Sequence, residues 1–136
     1  MKALVLYYSR TGTTEKLARR ISKQFNADLV KMNQQNDQYV LKTVDLSDYD
    51  LVFVGFPMMF RGMPDYVMHY LSSCDFRGVT VVPFATFAIA GLDWVDRVLS
   101  EVCHGANVEL SYNHGVLKRD DWYKWLYEVN RRYYTD

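Results

Sequence analysis

A chain of 136 residues that is 49% hydrophobic and 15% aromatic is long enough for one domain (1–136) with a sizeable core, and it is too apolar for disorder. Lys plus Arg and Asp plus Glu both number 16, so no basic surplus points to nucleic acid and no acidic block stands out. No secretory leader or membrane span is expected, because Lys2 precedes only a short apolar run and the longest apolar stretch, Val79 to Leu92, is too short and is broken by Thr80, Pro83 and Thr86; the pattern reads as cytoplasmic.

The elements alternate along the chain. "KALVLYY" (2–8) is a continuous apolar run of the kind expected of a strand covered on both faces. "TEKLARRISKQF" follows, with Leu17, Ala18, Ile21 and Phe25 on one helical face. "DLVKM" (28–32) reads as a short second strand and "YDLVFVGF" (49–56) as a buried third. Between them, 33–48 is long enough for a crossover, and a short or irregular helix is expected there. Gly62 and Pro64 open the next helix, with Pro64 in the first turn and Val67, Met68 and Leu71 as its apolar face. "GVTVVPFAT" (78–86) is a fourth strand, and the helix after it carries Val95, Val98, Leu99 and Val102. "NVELSYNHGV" (107–116) is a fifth strand. The last helix starts near Asp120 or Asp121 and buries Trp122, Trp125, Leu126 and Val129 at helical spacing. Strands alternating with helices in this way imply an α/β fold, with a five-stranded parallel sheet covered by helices on both faces.

Candidate metal and redox chemistry is sparse. Cys74 and Cys103 have no metal or redox spacing and read as reduced thiols of the core. His69, His104 and His114 are scattered, so no metal site is expected.

The stretch "YYSRTGTTEKLARRI" (7–21) points to a ligand. Ser9, Thr11, Thr13 and Thr14 crowd around Gly12 between a buried strand and a helix. A helix start leaves backbone N–H groups unpaired and carries about half a positive charge, which suits an anion. Short hydroxyl side chains add donors, and Gly12 lets the backbone approach the ligand. One Ser or Thr would cap the helix; four around a glycine exceed that need, and the pattern expected is a phosphate loop. It is neither a P-loop nor the Gly-x-Gly-x-x-Gly dinucleotide turn. In an open α/β sheet, two further loops should converge on it beyond the carboxyl ends of the strands: 57–63 and 86–91.

Ser9-x-Thr11-Gly12-x-Thr14 resembles the FMN phosphate loop of the flavodoxin family. The resemblance runs along nearly the whole chain: "YDLVFVGFPMMF" is similar to the family's strand leading into its first flavin loop, "DFRGVTVVPFAT" to the segment leading into its second, and "DDWYKWL" to the helix that closes short flavodoxins. It implies a three-layer α/β/α sandwich with strand order 2-1-3-4-5, an order for which flavodoxin is itself the type example, with its ligand at the switch between strands one and three. It implies FMN as cofactor, with Ser9, Arg10, Thr11, Gly12, Thr13 and Thr14 on the phosphate. Pro57, Met58, Met59, Phe60 and Arg61 would line one side of the flavin ring, and Thr86, Phe87, Ala88 and Gly91 the other. Phe60 and Phe87 are the aromatics available to flank the ring, and Arg61 is a cation at its mouth. Where relatives tend to carry tryptophans after the loop proline, this chain has Met58 and Met59, and its second flavin loop is less rich in glycine and serine. Its neutral charge differs from the acidity common in electron carriers.

The function the resemblance implies is that of an FMN-binding electron-transfer protein, with no catalytic acid or base. Its partners would be redox proteins, a flavin reductase or ferredoxin-type donor and an unidentified acceptor, and it would be a monomer or weak dimer. The alternatives are an FMN-dependent reductase of a quinone or similar acceptor, and an interaction domain that kept the fold and lost the flavin.

Overall fold

The computed structural model describes residues 1–32, 42–59, 62–87, 92–115 and 120–135. Its strands are β1 (Ala3–Tyr7), β2 (Asp28–Lys31), β3 (Leu51–Pro57), β4 (Thr80–Thr86), β5 (Asn107–Val108) and β6 (Tyr112–His114). They alternate with α1 (Thr13–Phe25), α2 (Asp65–Ser72), α3 (Leu92–Val102) and α4 (Asp120–Val129), and a π-helical turn, Asn130–Tyr134, extends the last helix. All pairings between these strands are parallel, in the order β2-β1-β3-β4-β5, with β6 also on β4. The α/β/α sandwich expected from the sequence is therefore the observed architecture.

Each face of the sheet carries its own core. Leu4, Leu6, Val52, Val54, Phe56 and Val81 pack with Val67 and Leu71 of α2 and Val95 and Leu99 of α3. Val5, Tyr7, Leu51, Phe53, Val82 and Phe84 pack with Leu17, Ile21 and Phe25 of α1 and with Trp122, Trp125 and Val129 of α4. Alternation of side chains along a strand sends successive residues to opposite layers, so the mostly apolar strands β1, β3 and β4 supply both cores at once. Val98, Val102 and Leu126 pack as partly buried margins of these layers.

The fifth strand departs from the expected single run. Val81 pairs with Val108, but Phe84 pairs with Tyr112, so the edge gains one residue between β5 and β6. Glu109 N–H donates to the Val81 carbonyl at 2.9 Å and Phe87 N–H to the His114 carbonyl at 2.8 Å, which shows that odd-numbered positions of β4 face this edge. Pro83 is one of them and has no N–H to contribute. The ladder lapses there, Leu110 takes a φ of 55°, and its carbonyl accepts Trp125 Nε1–H at 2.5 Å.

Two further details differ from the expectation. Pro64 stands at the N-cap of α2 with φ −56° and ψ 137°, one residue before the helix, because the extended ψ lets it enter from the loop without occupying a helical position. Tyr70 joins Val67 and Leu71 as a buried residue of that helix, and Met68 is half-buried. Of the crossover between β2 and β3, residues 33–41 lie outside the described residues, and 42–50 contain no helix.

Candidate functional site

Parallel strands end on one side. Tyr7 of β1 lies opposite Gly55 of β3, and Pro57 of β3 opposite Thr86 of β4, so the loops after β1, β3 and β4 emerge side by side. With β2 and β3 on opposite sides of β1, this is the point where the strand order reverses and a crevice forms.

The first loop turns at Gly12, whose φ of 99° and ψ of −11° place it in the left-handed region as the N-cap of α1, without a side-chain cap of its own. A Cβ on Gly12 would meet no heavy atom of the described residues within 4 Å, so this side of the turn is clear of them. The four hydroxyls divide into two pairs. Ser9 Oγ accepts from the N–H groups of Gly12 at 3.1 Å and Glu15 at 3.2 Å, which is the capping role any short hydroxyl could play. Thr14 Oγ1 stands 2.9 Å from Thr86 Oγ1, and both threonines are buried. Thr11 is exposed and Thr13 half-buried. The first-turn N–H groups of Thr13 and Thr14 have no helical acceptor. A turn clear of the described residues, first-turn amides without a helical acceptor and two threonines outside the internal pairs form a donor set that fits a phosphate.

The acid in this turn is held aside. Tyr7 Oη donates to Glu15 Oε1 at 2.7 Å. That bond, more than any other influence, holds the Glu15 carboxyl below its ordinary range, while burial and then the same carboxylate push the Tyr7 phenol up to about 12. Arg10 is exposed, and its Nη1 lies 3.5 Å from Met59 Sδ, which ties the first loop to the second.

In the second loop Pro57, Met58 and Met59 are half-buried. Met58 N–H donates to the Thr86 carbonyl at 2.9 Å, and Met59 and Gly62 exchange both backbone hydrogen bonds at 2.8 Å. Phe60 and Arg61 lie outside the described residues, as do Ala88 and Gly91 of the third loop. Phe87 is described, at 48% exposure. It takes a φ of 61° and packs on Gly115, where an added Cβ would lie 2.6 Å from Phe87 Cε1.

Several residues around these loops are not legible as site residues in the sequence. Tyr8 packs on Tyr66 with ring centroids 5.6 Å apart, behind the start of the first loop. His114 accepts the Phe87 N–H through its carbonyl, and its Nδ1 lies 3.0 Å from Tyr112 Oη; burial first, then Arg20, pushes its pKa down. Trp94 comes from α3 to lie against Gly62. All three depend on contacts distant in sequence, and no local motif marks them.

A separate cavity of about 790 Å³ lies at the opposite, amino-terminal end of β3 and β4, lined by residues that include Asp45, Asp50, Cys74 and Arg77. Its groups are already satisfied or inert: Arg77 pairs with Asp75 at 2.7 Å, and burial pushes the Cys74 thiol up to about 11. The strand ends, not this cavity, are where a doubly wound sheet assembles chemistry. Among the described residues no group of three or more metal-ligating side chains assembles, and no helix is long and apolar enough to cross a membrane.

The fold and the convergence of the three loops define a flavodoxin-like α/β protein. Residues 30–129 match the family model described as flavodoxin, and the chain belongs to the flavodoxin family. The match covers β3 through α4 and begins after the phosphate loop, so that loop stands on its own geometry. Among solved structures, the chain is similar to a candidate flavoprotein of Bacteroides uniformis at TM-score 0.75 and 22% identity, covering 93% of this chain and 97% of that one. Oxidised flavodoxin 2 of Bacillus cereus matches at TM-score 0.64 and 21% identity over 95% of both chains. A Lactobacillus acidophilus flavoprotein in complex with FMN matches at TM-score 0.63 and 21% identity, over 91% of this chain and 97% of that one. These identities speak to the shared fold. No curated protein matches the chain in sequence.

Proposed function

We propose that residues 1–136 act as one FMN-binding domain that transfers electrons between protein partners in the cytoplasm, as a monomer or weak dimer. The observation that carries this reading is the left-handed turn at Gly12, where a Cβ would meet none of the described residues, beside the Thr13 and Thr14 N–H groups, which have no helical acceptor. FMN supplies the electron-transfer chemistry when bound, and the protein supplies binding, orientation and electrostatics. Thr11 to Thr14 and the α1 dipole hold the phosphate. Ser9 fixes the loop by capping, and Thr14 ties it to β4 while offering its backbone N–H. Arg10 adds a positive charge near the phosphate. Pro57 to Arg61 are assigned to one wall of the ring site in this reading, and Thr86 to Gly91 to the other. Family membership and an FMN complex among the structural neighbours support FMN as the cofactor.

One FMN per chain is expected in the absorption spectrum of purified protein incubated with FMN and desalted. No retained flavin overturns the reading. The internal use of the Ser9 and Thr14 hydroxyls favours a second reading, an interaction domain that has lost its flavin, and the same spectrum separates the two.

A further inference from the structure

Trp94 stands in the first turn of α3, outside both loops to which the sequence pattern assigns the ring site. It is 36% exposed and belongs to neither core layer. Its benzo edge faces the backbone of Gly62: a Cβ added there would lie 2.7 Å from Trp94 Cη2 and 3.2 Å from Cζ2. Gly62 also takes a φ of 111°. Backbone conformation and the ring therefore each disfavour a side chain at 62. Gly62 exchanges two hydrogen bonds with Met59, and Met59 Sδ meets Arg10 Nη1 at 3.5 Å. Trp94, Gly62, Met59 and Arg10 thus form one line of contact from α3, through the loop after β3, to the phosphate loop.

That loop carries methionines at 58 and 59. Unbranched thioether side chains adapt to their surroundings and fix a backbone poorly, so beyond the Met59–Gly62 backbone pair these two side chains hold the loop only weakly. A flat tryptophan edge on bare glycine backbone suits a brace, because the ring has few rotatable bonds to lose and a large area to cover. We propose that Trp94 is a positioning residue of the cofactor site. It braces the loop after β3 against α3 and, through Gly62 and Met59, sets that loop against the Arg10 end of the phosphate loop. The inference rests on the FMN reading above and extends the site to a helix.

FMN titration of wild type, Trp94→Ala, Trp94→Phe and Gly62→Ala tests it, with the visible circular dichroism of the bound flavin as second readout. Trp94→Ala and Gly62→Ala should each weaken FMN by about fivefold or more and alter the flavin dichroism, while Trp94→Phe, which keeps a flat ring but lacks the benzo atoms that reach Gly62, should fall between wild type and Trp94→Ala. Without flavin, the Trp94 emission, taken as wild type minus Trp94→Phe, should move to the red when the same difference is measured in a Gly62→Ala background. If Trp94→Ala does not fold, Trp94→Leu takes its place, with the same two outcomes. Wild-type binding together with unchanged affinity and dichroism in Trp94→Ala and Gly62→Ala overturns the positioning role and leaves the FMN reading standing. A wild type that takes up no FMN overturns both.

Discussion

Thr14 Oγ1 and Thr86 Oγ1 stand 2.9 Å apart across 72 residues of sequence, and both threonines are buried. The pair joins the first turn of α1 to the last residue of β4, so two of the three loops at the strand ends are anchored to each other directly. Removing one hydroxyl leaves the other buried without its partner, which costs about 1–3 kcal/mol, whereas removing both can be close to neutral. Thr14→Val and Thr86→Val should each destabilise the fold by that amount in urea unfolding, and the double variant should lose less than the sum, with a coupling of about 0.5–3 kcal/mol. Strictly additive losses would mean that the two hydroxyls contribute independently.

Gly12 separates backbone shape from space. A Cβ there has room, but its φ of 99° penalises any side chain, by about 1–2 kcal/mol for the left-handed region. Gly12→Val should therefore keep its far-UV circular dichroism, unfold somewhat earlier, and lose FMN binding because the loop no longer presents its amides. Riboflavin should bind the wild type much more weakly than FMN, since it lacks the group that the helix terminus attracts. Unchanged FMN titration of the variant, or equal affinities for the two flavins, would remove the phosphate from this loop.

The sheet is legible in the sequence because β1, β3 and β4 are mostly apolar runs too short for buried helices, and the helices because Leu17, Ile21 and Phe25, or Trp122, Trp125 and Val129, recur at helical spacing. The turn at Gly12 is legible for the same reason: its signal is local. The break between β5 and β6 is not, because its cause, Pro83, lies in the neighbouring strand. The division of labour among the hydroxyls is also hidden. Ser9 and Thr14 look alike in sequence, but one caps a helix and the other meets Thr86, a distinction that only tertiary contacts make. Trp94 escapes a sequence reading because it falls outside the apolar face of Val95, Val98, Leu99 and Val102, and only its approach to Gly62 marks it.

His114 gives the fold a pH dependence of known sign. Burial, then Arg20, holds its folded pKa below the ordinary 6.5. A base whose folded pKa is lowered is neutral in both states above 6.5, so it costs nothing there. As pH falls through the unfolded value, the unfolded chain binds the proton more readily and stability declines, until the folded group titrates as well. Wild type should thus lose stability below about pH 6.5, the ordinary histidine value, and His114→Gln should lose less over the same interval. Parallel stability profiles for the two proteins in thermal unfolding from pH 8 to 5 would show that His114 is not the group responsible.

Phe87 is one of the two aromatics proposed for the ring site, and its backbone argues for a role. A bulky residue in the left-handed region is uncommon and costs about 1–2 kcal/mol, and a side chain 48% exposed gains little from burial to offset it. Strain kept at an exposed position is found where surrounding structure imposes it, often at ligand sites. Here Phe87 N–H is held by the His114 carbonyl at 2.8 Å and the ring by Gly115. Phe87→Gly relieves the backbone while losing the ring, so its stability should stay within about 1 kcal/mol of wild type. Flavin binding should respond differently: loss of an aromatic contact worth about 0.5–1.5 kcal/mol should weaken FMN roughly two- to tenfold, in Phe87→Gly and Phe87→Ala alike. The same measurement on Phe60→Ala tests the opposite wall. Stability that falls while FMN affinity holds would make Phe87 a cover for Gly115 and His114, and the ring site would then lack this wall.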